Sequence, residues 1–390
     1  MMNTSVVSST KRIAFLHQHF PFGGGEQVSI RLAEAFKPYG IKTYIFCNRL
    51  HKEKIEEPCS YEIKVMPRED SWGSDDNIAF LTKEIDKNQI EILFLVHGFS
   101  QKFGLIRQKT GVRFIFPLHN IPSWEKTALL DLSNKPLGKQ LWTLIGKWSK
   151  EILFQYYTKR WSRYYRMGYD NCDLTVTLHP EYTNTIRKKL QIDGKKIICI
   201  PNMYASNPPS EPNPSKKILF CGRMTFLDKR PDRMLQIWNR IYKQLPDWKL
   251  IMLGDGPELP RLKQYVLKQK LERVEFSGWC NNPVCFYQQA SIICSTSTFE
   301  SFGLSILEGI AHGCVPLAFN CSSGLASIIG NPSLLIPPFN QKLFGQKLIE
   351  LATNESLRRE EYTQAACNIQ QFIPEKIIPQ WLQAFEKLNK

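Results

Sequence analysis

The sequence predicts an α/β protein built as two doubly wound domains, and three observations carry that prediction. Short apolar runs without polar alternation recur along the chain, as strands buried on both faces of a parallel sheet require. The first of them, 12–16, leads into the turn Gly23-Gly24-Gly25 and then into 27–36 at helical spacing, which is the strand, loop and helix grammar of such a sheet. Pro208, Pro209, Pro212 and Pro214, with Ser and Asn between them, cannot form helix or central strand, so they divide the pattern in two.

The elements follow in order. In a first domain, residues 1–200, strands are expected at 12–16, 43–47, 90–96, 113–118 and 174–178, with 197–200 closing the set. Residues 201–216 read as a linker. The second domain, 217–373, has strands expected at 217–221, 250–253, 274–276, 290–294 and 315–319. Residues 374–390 form a last segment that is helical in pattern. A chain of 390 residues is long enough for two such domains and a substantial core.

Composition narrows the class. The 11 cysteines are an odd number scattered through apolar segments such as Ile198-Cys199-Ile200, so they read as reduced core residues of a cytosolic protein. No Cys-x-x-Cys or clustered His/Cys set occurs, which argues against structural zinc. Residues 1–10 are polar and lack the apolar core of a signal peptide, and no apolar run approaches a transmembrane span. A soluble or peripheral protein is expected.

Residues 294–316, Cys-Ser-Thr-Ser-Thr-Phe-Glu-Ser-Phe-Gly-Leu-Ser-Ile-Leu-Glu-Gly-Ile-Ala-His-Gly-Cys-Val-Pro, are the most informative window. Following the apolar run 290–294, they lie at a strand's carboxyl end. Leu304, Leu307, Ile310 and Ala311 recur at helical spacing, so a helix is expected to begin near Phe302 with its first amides toward the strand tip. Gly303 has no Cβ and lets a phosphate approach those amides at the positive end of the helix dipole. Glu300 falls in the loop and Glu308 inside the helix, so two carboxylates flank the anion site. Phosphate repels a carboxylate, and both therefore read as acceptors for sugar hydroxyls. Unpaired carboxylates in so apolar a stretch are costly to bury unless something binds them.

Further segments fall in a consistent order: 218–229 (Ile-Leu-Phe-Cys-Gly-Arg-Met-Thr-Phe-Leu-Asp-Lys), 249–258 with its Gly-Asp-Gly-Pro-Glu, and 274–279 with Val-x-Phe-x-Gly. Together with Glu300 and Glu308 they resemble the family 4 glycosyltransferases of the GT-B type, whose signature is Glu-x7-Glu in this setting. The likeness covers most of 215–330. The amino-terminal half is similar more loosely, through Phe22-Gly23-Gly24-Gly25-Glu26, Leu118-His119-Asn120 and Ile200-Pro201-Asn202.

The resemblance implies two Rossmann-like domains facing a central cleft, with the last helix crossing back onto the first domain. It implies retaining transfer from a nucleotide sugar, most simply a UDP-sugar, by a front-face route in which the leaving phosphate oxygen helps deprotonate the incoming hydroxyl. Arg223 and Lys229 are implied to hold the donor diphosphate, Glu308 the ribose hydroxyls and Glu300 those of the transferred sugar. Gly222, Gly303, Leu304 and Ser305 complete the donor cradle, and the backbone near Trp279 and Cys280 meets the base. Gly23 and Gly24 match the glycine pair that approaches the donor, and His119 matches the position that binds the transferred sugar near the reaction centre. No Asp-x-Asp pair exists, so neither metal nor cofactor is expected and the two cations are the substitute. One residue more than in many members separates Arg223 from Lys229, and Arg230 replaces the commoner glycine after it.

A lone glycine turn is usually structural, a lone His119 competes with six other histidines, and an isolated Arg/Lys pair is usually a solvated face. The formal charge of +15 is densest over 135–166. There Leu137, Leu141, Leu144, Trp148 and Ile152 share a helical face roughly opposite Lys139 and Lys150. Lys159, Arg160, Arg163 and Arg166 follow, interleaved with Tyr156, Tyr157, Trp161, Tyr164 and Tyr165. A basic, aromatic-laced amphipathic segment suits an anionic membrane surface, and an ordinary helix with a solvated basic face is the alternative. Nucleic acid is not expected as a partner, because no RRM, KH, zinc-finger or helix-turn-helix signature is present. Two functions stay open: a peripheral enzyme on the cytoplasmic face moving a sugar to a saccharide or lipid-linked acceptor in surface polysaccharide or glycolipid assembly, and a non-catalytic module of the same fold acting as a scaffold.

Overall fold

The computed structural model describes residues 11–21, 23–55, 58–96, 99–122, 124, 147–204 and 212–388. The chain divides into two compact units, one of Met1–His119, Ser162–Met203 and Pro374–Lys390, the other of Asn120–Trp161 and Tyr204–Ile373.

In the first unit the chain runs β1 (Arg12–Phe20), α1 (Gly24–Phe36), β2 (Lys42–Leu50), β3 (Tyr61–Val65), α2 (Asp75–Lys87), β4 (Ile92–Leu95), α3 (Phe103–Thr110) and β5 (Arg113–Leu118). It continues through α4 (Lys147–Asn171, in this unit from Ser162), β6 (Leu174–Thr177), α5 (Pro180–Leu190) and β7 (Ile197–Cys199). All strand pairs are parallel, in the order β3-β2-β1-β4-β5-β6-β7. The central strands carry contiguous apolar runs, such as 13–16 and 92–95, because helices cover both faces; Ile13, Leu16, Leu93 and Ile115 are fully buried. The sequence reading had no strand at β3. Its apolar residues alternate with Glu62 and Lys64, and Glu62 pairs with Lys42 of β2 at 2.6 Å, the pattern of a charged sheet edge.

The second unit contains β8 (Lys217–Cys221), α6 (Pro231–Ile241), β9 (Lys249–Leu253), α7 (Leu259–Gln269), β10 (Val274–Gly278), α8 (Val284–Gln288) and β11 (Ile292–Ser295). After these come α9 (Leu304–Ala311), β12 (Val315–Phe319), α10 (Ser323–Ile329), β13 (Leu335–Ile336), α11 (Gln341–Thr353) and α12 (Glu355–Ile369). Its parallel sheet has the order β10-β9-β8-β11-β12-β13. The two-residue β13 is too short to leave a sequence signal.

The last helix, α13 (Pro374–Leu388), belongs to the first unit. Trp381 lies 5.4 Å from the Phe94 ring and Phe385 lies 5.5 Å from Phe36, so one aromatic cluster joins the chain's end to β4 and α1.

The unit boundaries differ from the sequence reading in two places. The described residues within 120–161, assigned there to the first domain, group with the second unit, where the Trp124 ring packs 6.2 Å from Phe299. Residues 201–203, assigned to the linker, belong to the first unit, where Asn202 and Met203 are buried. Tyr204 is buried too, and its N–H reaches the Phe372 carbonyl at 3.3 Å. Pro208 and Pro209 lie outside the described residues, whereas 212–216 has no regular structure, as its prolines dictate.

Candidate active site

The second unit's site is assembled at the carboxyl ends of β8, β9 and β11. Beyond β8, the Gly222 N–H donates to the Leu253 carbonyl at 3.0 Å and the Met224 N–H to the Asp255 carbonyl at 2.9 Å. The approach of the two loops requires glycine. At Gly254, with φ +129°, a Cβ would stand 2.0 Å from the Gly222 oxygen, and at Gly256 it would stand 2.7 Å from the Met224 oxygen. The Gly-Asp-Gly segment therefore acts as the buttress on which the Gly222-Arg223 strand end rests.

Past that buttress the chain turns back on itself. Arg230, at φ +51°, caps α6 with Pro231 at the first helical position, so Asp228 and Lys229 face the strand ends. Asp228 is buried and accepts from Arg223 Nη2 at 2.7 Å and from the Thr225 hydroxyl. Lys229 Nζ donates to Glu300 Oε2, which also accepts from Ser297 Oγ at 3.4 Å. Burial alone raises the Asp228 carboxyl, but the Arg223 and Lys229 charges reverse this and hold it below the usual carboxylate range. Burial likewise lowers the Lys229 ammonium, and the carboxylates of Glu300 and Asp228 more than offset it, leaving its pKa above the usual lysine value. Lys229 is therefore charged at neutral pH, and each of the two cations rests on a carboxylate partner.

The loop bearing Glu300 is tied to the same segment. The Thr298 N–H donates to the Asp228 carbonyl at 2.7 Å, and buried Arg233 reaches Thr298 Oγ1 at 3.1 Å and the Thr296 carbonyl at 3.3 Å. Gly303 then caps α9 at φ +97°, a left-handed conformation that only glycine adopts without strain. The helix begins at Leu304, two residues later than its apolar spacing suggested, with Leu304 and Ser305 in its first turn. Its depth is set by Gly309, where a Cβ would meet Ile293 of β11 at 2.7 Å. Glu308, one residue earlier, accepts from the Tyr287 hydroxyl at 2.7 Å.

The structure thus brings Gly222, Arg223, Lys229 and Glu300 into one cluster and places Gly303, Leu304, Ser305 and Glu308 along the start of α9. Trp279 and Cys280 follow β10, where the indole donates to Asn281 Oδ1 at 2.9 Å and the Cys280 thiol to the Asn282 carbonyl at 3.1 Å. The expectation of unpaired carboxylates is corrected: Glu300 is paired with Lys229 and Glu308 with Tyr287. Asp228, Tyr287 and Arg233 were not singled out from the sequence. A signal existed only for Asp228, an acid set between Arg223 and the Lys229-Arg230 pair. Among the described residues, no group of three His, Cys, Asp or Glu side chains is placed to hold a metal ion.

In the first unit Gly23 caps α1, and its N–H donates to Glu26 Oε2 at 2.8 Å while Gly24 opens the helix. Beneath them, fully buried His17 lies 3.0 Å from Ser29 Oγ. His119 follows β5 and lines a cavity with Arg31, Leu118, Asn202 and Trp381. On α4, Lys159, Arg160 and Arg163 are exposed, as are Ile152 and Tyr156, whereas Trp161 and Tyr165 are buried. Arg166 differs from the other three: its guanidinium donates to the Leu190 carbonyl and lies 3.9 Å from Asp170. Leu137, Lys139, Leu141 and Leu144 lie outside the described residues, as do the side chains of Trp148 and Lys150. No described helix is long and apolar enough to cross a membrane.

Comparison with known proteins decides the family. The description "Glycosyltransferase Family 4" matches residues 22–205 and "Glycosyl transferases group 1" matches 205–372. The chain belongs to the family 4 glycosyltransferases of the GT-B fold. The amylovoran biosynthesis glycosyltransferase AmsD of Erwinia amylovora is 31% identical to this family 4 chain over 170 residues, 42% of this chain and 46% of AmsD. The chain thus spans less than half of that relative. An uncharacterized glycosyltransferase of Haemophilus influenzae is 24% identical over 95% of this chain and 99% of its own length. Among solved structures, a TarM variant from S. aureus, in complex with fondaparinux, α-GlcNAc-glycerol and UDP, superposes with a TM-score of 0.70. At 14% identity over 96% of this chain and 99% of TarM, that likeness establishes the two-domain fold.

Proposed function

We propose that this family 4 protein is a metal-independent, retaining glycosyltransferase that moves a sugar from a nucleotide diphosphate donor, most simply a UDP-sugar, to a saccharide or lipid-linked acceptor. The observation that carries the proposal is the pair Arg223 and Lys229, two charged side chains held by Asp228 and Glu300 at the strand ends beside the Gly303 cap of α9. Breaking a sugar–phosphate bond leaves negative charge on the diphosphate. Cations and helix amides brought onto the diphosphate when the donor binds stabilise that charge as it develops. The side chain of Arg223 is 58% exposed and can turn from Asp228 to a phosphate, its planar fork matching two oxygens. Glu300, displaced from Lys229 by the diphosphate, would accept hydroxyls of the transferred sugar, and Glu308 would accept those of the ribose. Gly23, Gly24 and His119 are assigned, by resemblance, to the donor's sugar side. UDP in the TarM complex and the amylovoran pathway of AmsD favour a UDP-sugar and a polysaccharide acceptor.

Calorimetry with UDP, GDP and ADP in EDTA tests the donor half. One nucleotide is expected to bind without metal, and Arg223→Ala to weaken it by at least about tenfold, as for a lost charge-assisted contact. Binding of none would move the protein to the scaffold role.

We also place the protein at the cytoplasmic face of an anionic membrane, through Ile152, Tyr156, Lys159, Arg160 and Arg163 of α4. Each basic residue at such a surface contributes about 1 kcal/mol. Replacing Lys159, Arg160 and Arg163 together by Ala is expected to release the protein from phosphatidylserine-containing vesicles. Undiminished sedimentation with them would remove the membrane from the proposal. Arg166 is left intact in this variant because its guanidinium links α4 to the end of α5.

A further inference from the structure

Behind Glu308 lies a chain of polar groups that no part of the reaction uses directly. Tyr287, on α8, is only 1% exposed, yet its hydroxyl is placed between two partners, Glu308 Oε2 at 2.7 Å and Cys221 Sγ at 3.4 Å. A phenol has one proton, and the carboxylate is the stronger acceptor, so the phenol donates to Glu308 and the thiol donates to the phenol. Burial pushes the Cys221 thiol up, which keeps it protonated for that role. The direction of donation therefore runs from Cys221 through Tyr287 to Glu308.

The tyrosine ring is itself fixed from two sides. His312 stacks on it at 5.8 Å and 27°, and its Nδ1 lies 2.8 Å from the Glu308 carbonyl. A carbonyl only accepts, so that nitrogen carries the proton and the ring cannot rotate without losing the bond. The Cys314 thiol meets the Tyr287 carbonyl at 3.1 Å and so holds its main chain. β8 and the end of α9 thus converge on Tyr287 of α8, whose hydroxyl meets one Glu308 carboxylate oxygen. Packing alone would not require that, since phenylalanine would fill the same space.

We infer that Tyr287 is the positioning residue that sets ribose recognition, holding the Glu308 carboxylate in the one orientation that receives both nucleotide ribose hydroxyls. The inference rests on the reading of Glu308 as the ribose acceptor. A carboxylate with one oxygen anchored presents the other along a defined line. Without the phenol that anchor on Oε2 is lost, and the loss falls on the hydroxyl contacts rather than on the diphosphate.

The experiment compares calorimetric binding of UDP, GDP and ADP with that of their 2′-deoxy and 3′-deoxy forms, for the native protein, Tyr287→Phe and Glu308→Gln. The native protein is expected to prefer the ribonucleotide at least about tenfold, the size of a lost hydrogen bond to a charged group. Tyr287→Phe is expected to shrink that preference severalfold while leaving affinity for the 2′-deoxynucleotide unchanged, a pattern that general destabilisation cannot produce. If the native protein shows no preference, or binds none of these nucleotides, the ribose role of Glu308 fails and the inference fails with it. A native preference that Glu308→Gln abolishes and Tyr287→Phe preserves would keep the role of Glu308 and overturn that of Tyr287. Should Tyr287→Phe fold poorly, His312→Phe keeps a ring over Tyr287 but removes the bond to the Glu308 carbonyl. It is expected to shrink the ratio in the same direction, and an unchanged ratio there overturns the inference.

Discussion

Glu300→Gln is expected to lower sugar transfer by about 10²- to 10³-fold, the usual cost of removing one preorganised electrostatic group, with nucleotide affinity little changed. The substitution keeps shape and one acceptor oxygen and removes only the charge. In the unliganded site that charge holds Lys229, whose pKa is raised first of all by the Glu300 carboxylate working against burial. In the proposed reaction a diphosphate would take over Lys229, and the same carboxylate would then be available to the transferred sugar. A neutral amide cannot make that exchange, because its hydrogen bond to the ammonium is weaker and its remaining oxygen is a poorer acceptor for hydroxyls. Steady-state turnover with the donor named by the calorimetry, together with nucleotide affinity, checks the expectation. Undiminished turnover would remove Glu300 from the reaction.

The parts of this molecule that were legible in the sequence are those written in short range. The strands 113–118, 217–221 and 315–319 coincide with β5, β8 and β12, because a strand buried on both faces is a contiguous apolar run. Helix α13 was equally plain from its apolar spacing. The edge strand β3 was not, since its alternation of Tyr61, Ile63 and Val65 with charged residues also suits a loop. At the site, Gly303 and the two glutamates stood out because glycine and acid are anomalous in an apolar window. What pairs with them did not. Lys229 and Glu300 are 71 positions apart, and Tyr287 and Glu308 are 21 apart, so only the β8–β11 pairing and the fall of α8 against α9 bring them together. Asp228, a buried acid in contact with a site cation, was not singled out either, although it lies only five positions from Arg223.

Lys229→Met should abolish transfer and also destabilise the second unit, and the two effects can be separated. Removing one member of a buried ion pair leaves the other uncompensated, typically at roughly 3–5 kcal/mol. Here the abandoned group is Glu300, whose side chain is 13% exposed. Met retains most of the aliphatic stem, so the loss is electrostatic rather than a cavity. Adding Glu300→Gln to this variant removes the stranded charge, and the double variant is expected to recover much of the stability while recovering no activity. The pH dependence follows the same pair. The folded pKa of Lys229 lies above its ordinary 10.5, so its contribution is complete below that value and is lost as pH rises through the folded pKa. Asp228 is opposite: its pKa lies below the ordinary 3.8, so its contribution is present above 3.8 and is lost as pH falls through the folded value. Denaturant midpoints of the native protein and Lys229→Met should therefore stay far apart across the neutral range and converge in strong alkali. A Lys229→Met protein as stable as the native one at neutral pH would mean that solvent, and not Lys229, compensates the Glu300 charge. If activity returned in the double variant, the cation would have served the fold alone, and Arg223 with the α9 amides would have to carry the leaving diphosphate unaided.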